Sequence, residues 1–155
     1  MSSILVYIDH FSGAAKPVSW EILGKAHELA GRLGVPVTAF VAGQNLGGLA
    51  AEAVACGADR VLVADGPAFA QFNAQALAAA FKAAIEGAQP RIILVPATAG
   101  ARDVAARVAC ELNIGLAADC QGLNLDAAGS LLAERPVFSG NIITTVVFNG
   151  SIQMA

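Results

Sequence analysis

The chain has 155 residues, enough for one hydrophobic core but not comfortably for two. Charged residues make up 14% of it and the formal net charge is −3, with no basic cluster, which argues against nucleic-acid binding. No apolar run approaches the roughly 18 residues that span a membrane, and the N-terminus lacks a secretory signal pattern. The three cysteines lack metal-ligand spacing, so reduced thiols in a cytoplasmic or similar compartment are expected.

The first two-thirds of the sequence alternates strand and helix patterns. Apolar runs predict strands over 4–9, 37–42, 60–64 and 92–95. A helix opened by Pro17 and closed by Gly34 follows the first strand, and helices over 46–56 and from Asn73 to Gly87 follow the next two. A fourth helix carries Val104 and Val108 on one stripe. Four β-α units in succession predict an α/β fold with a doubly wound, mainly parallel sheet flanked by helices.

The fourth unit is the one around which a site is expected. The buried strand 92–95 ends at Pro96, a loop of small residues covers 97–100, and the helix then begins with charged residues. In doubly wound sheets ligands lie in a crevice outside the carboxyl ends of the strands. Asp9, Gly43 and Gly100 each follow or end a predicted strand at that edge, so they are the candidate crevice residues.

The pattern changes after Asn113. Strand-like runs over 116–125, 131–138 and 142–148 have no helix between them, so antiparallel strands that extend or cap the parallel sheet are predicted. Asn149-Gly150 predicts a hairpin turn whose second strand, 151–155, stops about halfway. Such an open edge is expected of a fragment or of a chain completed by a partner, and it favours self-association by edge pairing.

No recognised catalytic or metal-binding motif is present. The sequence contains no glycine-rich dinucleotide or P-loop pattern, no Gly-x-Ser-x-Gly and no His-x-x-x-His. Asp9-His10 is an acid–imidazole pair at a strand end, but neighbouring strand residues point to opposite faces, which favours a loop-anchoring or partner-facing role over catalysis. Arg102-Asp103 has two interpretations: an anion site at a helix N-terminus or a structural ion pair that holds the loop.

Four segments, in order and spacing, resemble the N-terminal domain of the electron transfer flavoprotein α subunit. They are PATAGARD at 96–103, ARVA at 106–109, GLAADC at 115–120 and RPVFSGN at 135–141, of which the last is the most specific. The resemblance covers essentially the whole chain. Ala101 and Ala106 depart from it, because the family usually has glycine and proline there.

The resemblance implies a scaffold and interface domain of the adenine-nucleotide α-hydrolase-like fold. In this family a β subunit completes a heterodimer, and FAD is held mainly by a C-terminal domain that these 155 residues lack. Electrons pass from flavin dehydrogenases through FAD to a quinone-linked acceptor, in the cytoplasm or, in eukaryotes, in the mitochondrial matrix. The single domain 1–155 is therefore expected to carry no cofactor, metal or catalytic residue.

Five residues are assigned to interface or structural motifs on this basis: Arg102, Asp103, Arg135, Gly140 and Asn141. The alternative is a stand-alone adenine-nucleotide-binding module, which would bind the nucleotide near Asp9, Gly43 and Gly100.

Overall fold

The computed structural model describes residues 3–155. In chain order the strands are β1 (Ile4–Tyr7), β2 (His10–Phe11), β3 (Ala14–Ala15), β4 (Val37–Gly43), β5 (Arg60–Asp65), β6 (Ile92–Leu94), β7 (Gly122–Leu125), β8 (Leu131–Val137), β9 (Ile142–Val146) and β10 (Gln153–Met154). The helices are α1 (Pro17–Leu33), α2 (Gly47–Ala55), α3 (Ala74–Ala88) and α4 (Ala99–Leu112), with a 3-10 turn at Pro67–Phe69.

A five-stranded parallel sheet forms the centre, in the order β10-β6-β1-β4-β5. Successive residues of β1 point to opposite faces, so Ile4 and Val6 pack in the core that contains α1 and α2 residues. Leu5 and Tyr7 pack in the second core, formed with α3 and α4. The prediction of a doubly wound sheet flanked by helices is confirmed.

The predicted helix boundaries hold where a capping signal was present. Pro17 occupies the first turn of α1, and Gly34 ends that helix in the left-handed conformation at φ 66°. The Asn73 side chain caps α3, accepting hydrogen bonds from the backbone N–H groups of Gln75 and Ala76.

The helix α4 begins earlier than predicted, at Ala99, so Ala99 and Gly100 are not in a loop. The Thr98 hydroxyl accepts from the Ala101 N–H at 3.3 Å, which places Thr98 at the N-cap. The small side chains at 99–101 show little apolar periodicity, so the sequence pattern did not indicate the first turn of α4.

The antiparallel strands form a separate three-stranded sheet, β7-β8-β9, rather than an extension of the parallel one. Leu125 and Leu131 are buried in the core with α1 residues, so this sheet caps the domain. The predicted strand over 116–125 starts only at Gly122. Leu116 makes one isolated parallel bridge to Met154 instead.

The hairpin predicted at Asn149-Gly150 is wrong. The last strand runs parallel to β6, with Gln153 opposite Ile92 and Met154 opposite Ile93. Met154 is fully buried there, and the Gln153 side-chain oxygen accepts from the Leu131 N–H at 2.7 Å. Burial of Met154 on the central sheet therefore outweighs the local turn preference. Edge pairing between copies of the chain stays a prediction.

A short hairpin, β2–β3, was not anticipated from the sequence. His10 pairs with Ala15 and Phe11 with Ala14, and the turn between them has positive φ at Ser12 and Gly13. Over residues 3–155, no helix combines the length and the apolar character required to cross a lipid bilayer.

Candidate functional site

The expected crevice lies at the carboxyl ends of the parallel strands. It has a volume of about 320 Å³ and is bounded by the end of β1, the β2–β3 hairpin, the segment after β5 and the first turn of α4. The structure brings the predicted residues Asp9 and Gly100 to its wall. Gly43 lies behind that wall, against the His10 ring.

Asp9 lines the crevice and joins three elements of the fold. Its Oδ2 accepts from Lys16 Nζ at 2.6 Å and from Thr98 Oγ1 at 2.5 Å. Its backbone N–H donates to Ser19 Oγ at 3.0 Å, and the Ser19 hydroxyl donates back to the Asp9 carbonyl at 2.9 Å. Asp9 therefore holds the end of β1 against the starts of both α1 and α4.

His10 makes contacts typical of a loop anchor. Its Nε2 lies 2.9 Å from the Ala42 carbonyl oxygen, and its Nδ1 accepts from the Gly13 N–H at 3.3 Å. Nε2 is consequently assigned the proton and Nδ1 the lone pair. Both ring nitrogens are occupied by backbone groups, as the loop-anchoring interpretation expects.

Gly43 and Gly100 permit close approach of aromatic side chains. A Cβ on Gly43 would lie 2.7 Å from the His10 ring, and a Cβ on Gly100 would lie 2.9 Å from Phe72 Cε2. Both glycines are thus accounted for by packing of the chain's own side chains.

We expect Gly43→Ala to destabilise the fold by about 1–3 kcal/mol, because the added methyl overlaps the His10 ring and Leu46. Urea unfolding measures the loss. Gly24→Ala is the matched control: nothing lies within 4 Å of its added Cβ, and alanine in this exposed helical position should gain about 0.5–1 kcal/mol. Equal unfolding midpoints for the two variants would contradict the steric explanation.

Tyr7 lies in the wall of the crevice beside this cluster. Burial raises the pKa of its phenol, and the negative charge of Asp9 raises that pKa further. The phenol is therefore neutral throughout the physiological range and cannot serve as a base.

A larger cavity of about 630 Å³ lies beside α1 and α4 and is also lined by the segment before β7. Arg102 and Asp103 both line it. Arg102 Nη1 pairs with Asp119 at 2.9 Å across 17 residues of chain. Arg102, near the start of α4, thus forms an ion pair with Asp119 rather than with Asp103. Because both side chains are exposed, the pair contributes only about 0–1 kcal/mol to the stability of the fold.

Arg135 lies in the middle of β8, opposite Thr144 of β9. Burial raises the pKa of the Cys120 thiol, and the positive charge of Arg135 opposes that rise. Within residues 3–155, the Arg135 Nε is buried and has no hydrogen-bond partner.

The far end of the hairpin formed by β8 and β9 carries exposed apolar side chains. We call residues 136–143 the β8–β9 arm. Phe138 is 76% exposed, and Ile142 and Ile143 are each at least half exposed. Gly140 has φ of +86° in the turn, where Asn141 is also exposed. The predicted residues Arg135, Gly140 and Asn141 thus belong to one element, separate from Arg102 and Asp103.

The sequence analysis missed Lys16, Ser19 and Thr98, which complete the Asp9 cluster. Only Thr98 carried a usable signal, as a threonine before a helix. Across the described part of the chain, no three His, Cys, Asp or Glu side chains form a group that could hold a metal ion.

Comparison with known proteins identifies the family. Residues 4–155 match the electron transfer flavoprotein domain. The chain belongs to the electron transfer flavoprotein family. It is 38% identical over 92% of its length to the electron transfer flavoprotein subunit alpha of Thermoanaerobacterium thermosaccharolyticum. It is 40% identical over 93% of its length to the lactate dehydrogenase (NAD(+),ferredoxin) subunit LctC of Acetobacterium woodii, and 38% identical over 98% to the protein FixB of Azorhizobium caulinodans.

The chain spans 43%, 34% and 42% of the length of these three relatives. The recognition of the α-subunit type from RPVFSGN and the other segments is confirmed.

The crevice residues do not fit the flavin dinucleotide that the family name implies. A dinucleotide pyrophosphate is held by a glycine-rich turn between a strand and a helix N-terminus. Here the β2–β3 hairpin follows β1, and the acidic residue Asp9 is among the residues that line the crevice. The volume of about 320 Å³ is also at the lower limit for a small-molecule pocket.

Proposed function

We propose that this domain is the scaffold and interface part of an electron transfer flavoprotein α subunit. In this proposal a β subunit and a flavin-carrying domain outside residues 1–155 are seated on it. Electrons pass from flavin dehydrogenases to that FAD and on to a quinone-linked acceptor. The domain itself breaks no bond and acts in the cytoplasm, or in the mitochondrial matrix in a eukaryote.

The observation that carries the proposal is the β8–β9 arm. Exposed apolar patches on soluble proteins mark interaction sites, and three of the eight exposed large hydrophobic side chains among residues 3–155 lie on this one arm. The misfit of the crevice to a dinucleotide supports a flavin held elsewhere.

Purification of the isolated chain with added FAD tests this role. We expect a colourless protein that elutes free of flavin, because the crevice offers no cradle for a pyrophosphate. Mixing the chain with the β subunit of the same organism should give a complex on size-exclusion chromatography. A yellow protein with stoichiometric flavin, or no complex with the β subunit, would contradict the scaffold role.

A further inference from the structure

One buried side chain of β10 joins the central parallel sheet to the separate antiparallel sheet. The backbone N–H of Gln153 donates to the Arg91 carbonyl at 3.0 Å, within the central sheet. The Gln153 side-chain oxygen accepts from the N–H of Leu131, the first residue of β8, at 2.7 Å. Gln153 is 4% exposed and Leu131 is fully buried, so water does not compete for this hydrogen bond. Because the Leu131 N–H is a donor, the amide group of Gln153 must turn its oxygen toward it.

The antiparallel sheet does not supply an acceptor of its own at this position. Along the described chain, β9 pairs with β8 only from Ala133 to Val137, so it stops two residues short of Leu131. The Gln153 side chain therefore takes the place that a longer β9 would fill. Loss of its oxygen leaves a buried N–H without a partner, and this is the costly way to lose a hydrogen bond.

Two further polar contacts tie this sheet to the core, and both are longer. Arg32 Nη2 donates to the Leu125 carbonyl at 3.3 Å. Arg91 Nη2 donates to the Ala128 carbonyl at 3.3 Å, and this contact is exposed to solvent. All three contacts lie where β7 turns into β8, whereas the β8–β9 arm lies at the opposite end of β8. The sheet is thus attached at one end and presents the arm at the other.

We propose that Gln153 is a positioning residue that fixes the direction in which the β8–β9 arm projects from the domain. The inference rests on the proposed role of the arm as the surface that receives the β subunit. From Leu131 to Val137, β8 spans about 20 Å, so a rotation of about 10° at Leu131 displaces the far end by about 3.5 Å. Such a displacement is enough to break the close apolar contacts of an interface. The cavity of about 630 Å³ beside Gly122 and Asn124 gives the sheet room to rotate once the hydrogen bond is lost.

Gln153→Met tests the inference, because it keeps a long unbranched side chain and removes the acceptor. We expect the Leu131 amide to exchange with solvent at least about tenfold faster, and the Val6 amide in β1 to be affected less. Residual dipolar couplings of the β9 amides should no longer fit the alignment tensor of the parallel sheet. Affinity for the β subunit, measured by calorimetry, should fall at least about tenfold.

Arg91→Met is the matched control, because it removes the exposed contact of the same sheet with Ala128. It should leave the β9 couplings on the common tensor and the affinity within about twofold of wild type. A folded Gln153→Met protein whose β9 couplings still fit that tensor would overturn the inference, whatever its affinity.

Wild-type protein gives an answer even if Gln153→Met does not fold. If Gln153 holds the two sheets together, the Leu131 amide should exchange as slowly as the Gln153 amide, which is bonded within the central sheet. Exchange at Leu131 that is at least about tenfold faster than at Gln153 would contradict the inference.

The couplings and exchange rates are measured on the chain alone, so they do not depend on the scaffold role. An arm that is displaced in Gln153→Met without loss of affinity supports the positioning by Gln153 and contradicts the arm as the surface for the β subunit. Wild-type protein that does not bind the β subunit likewise defeats the scaffold role and leaves the result on Gln153 in place.

Discussion

Phe81→Ala is expected to cost about 3–5 kcal/mol of folding free energy, enough to remove much of the stability of a domain of this size. Phe81 on α3 is fully buried. Its ring meets Tyr7 edge-on at a centroid distance of 5.0 Å and lies 5.1 Å from Phe40. Truncation removes both aromatic contacts. It also leaves a cavity between α3 and the strands β1 and β4, and backbone hydrogen bonds hold these two strands in place.

Urea unfolding followed by circular dichroism measures this loss, with Phe11→Ala as the matched control. Phe11 is 78% exposed on the β2–β3 hairpin, so the same truncation should change stability by no more than about 0.5 kcal/mol. A loss below about 1 kcal/mol for Phe81→Ala would mean that the three rings do not form the packed cluster described here.

Where the chain repeats one regular unit, the sequence was sufficient to predict the fold. The stripe of Val104 and Val108 predicted a buried face of α4, and Asn73 predicted the start of α3. The parallel direction of the strands followed from four β-α units, because short connections leave few alternatives.

The failures arose where a long-range contact decides a local conformation. Asn149-Gly150 is a strong hairpin signal over a few residues. It was overridden by Met154, which becomes buried beside β6, about 60 residues earlier in the chain. The Asp9 cluster was also beyond sequence reasoning: Thr98 lies 89 residues from Asp9, and no spacing rule joins them. The assignment of Arg135, Gly140 and Asn141 to an interface rested on the resemblance and on the position of these residues in the chain, and it stays a prediction.

Ile143→Asp is expected to weaken binding of the β subunit by at least about 100-fold, or roughly 2.7 kcal/mol. Ile143 is 56% exposed on the β8–β9 arm, opposite Pro136 and next to Ile142. If the arm inserts into an apolar surface of the partner, a carboxylate at position 143 must be desolvated without a cation to pair with it. The fold should be unaffected, because the wild-type side chain already faces solvent.

Titration calorimetry with the purified β subunit measures this effect, and Val54→Asp is the control. Val54 is also 56% exposed but lies on α2, away from the arm, so its substitution should leave the affinity within about twofold of wild type. Equal losses in the two variants would indicate a general effect of added negative charge. Unchanged affinity in both would place the β subunit on a different face, and the scaffold role would then have to rest on a surface other than the arm.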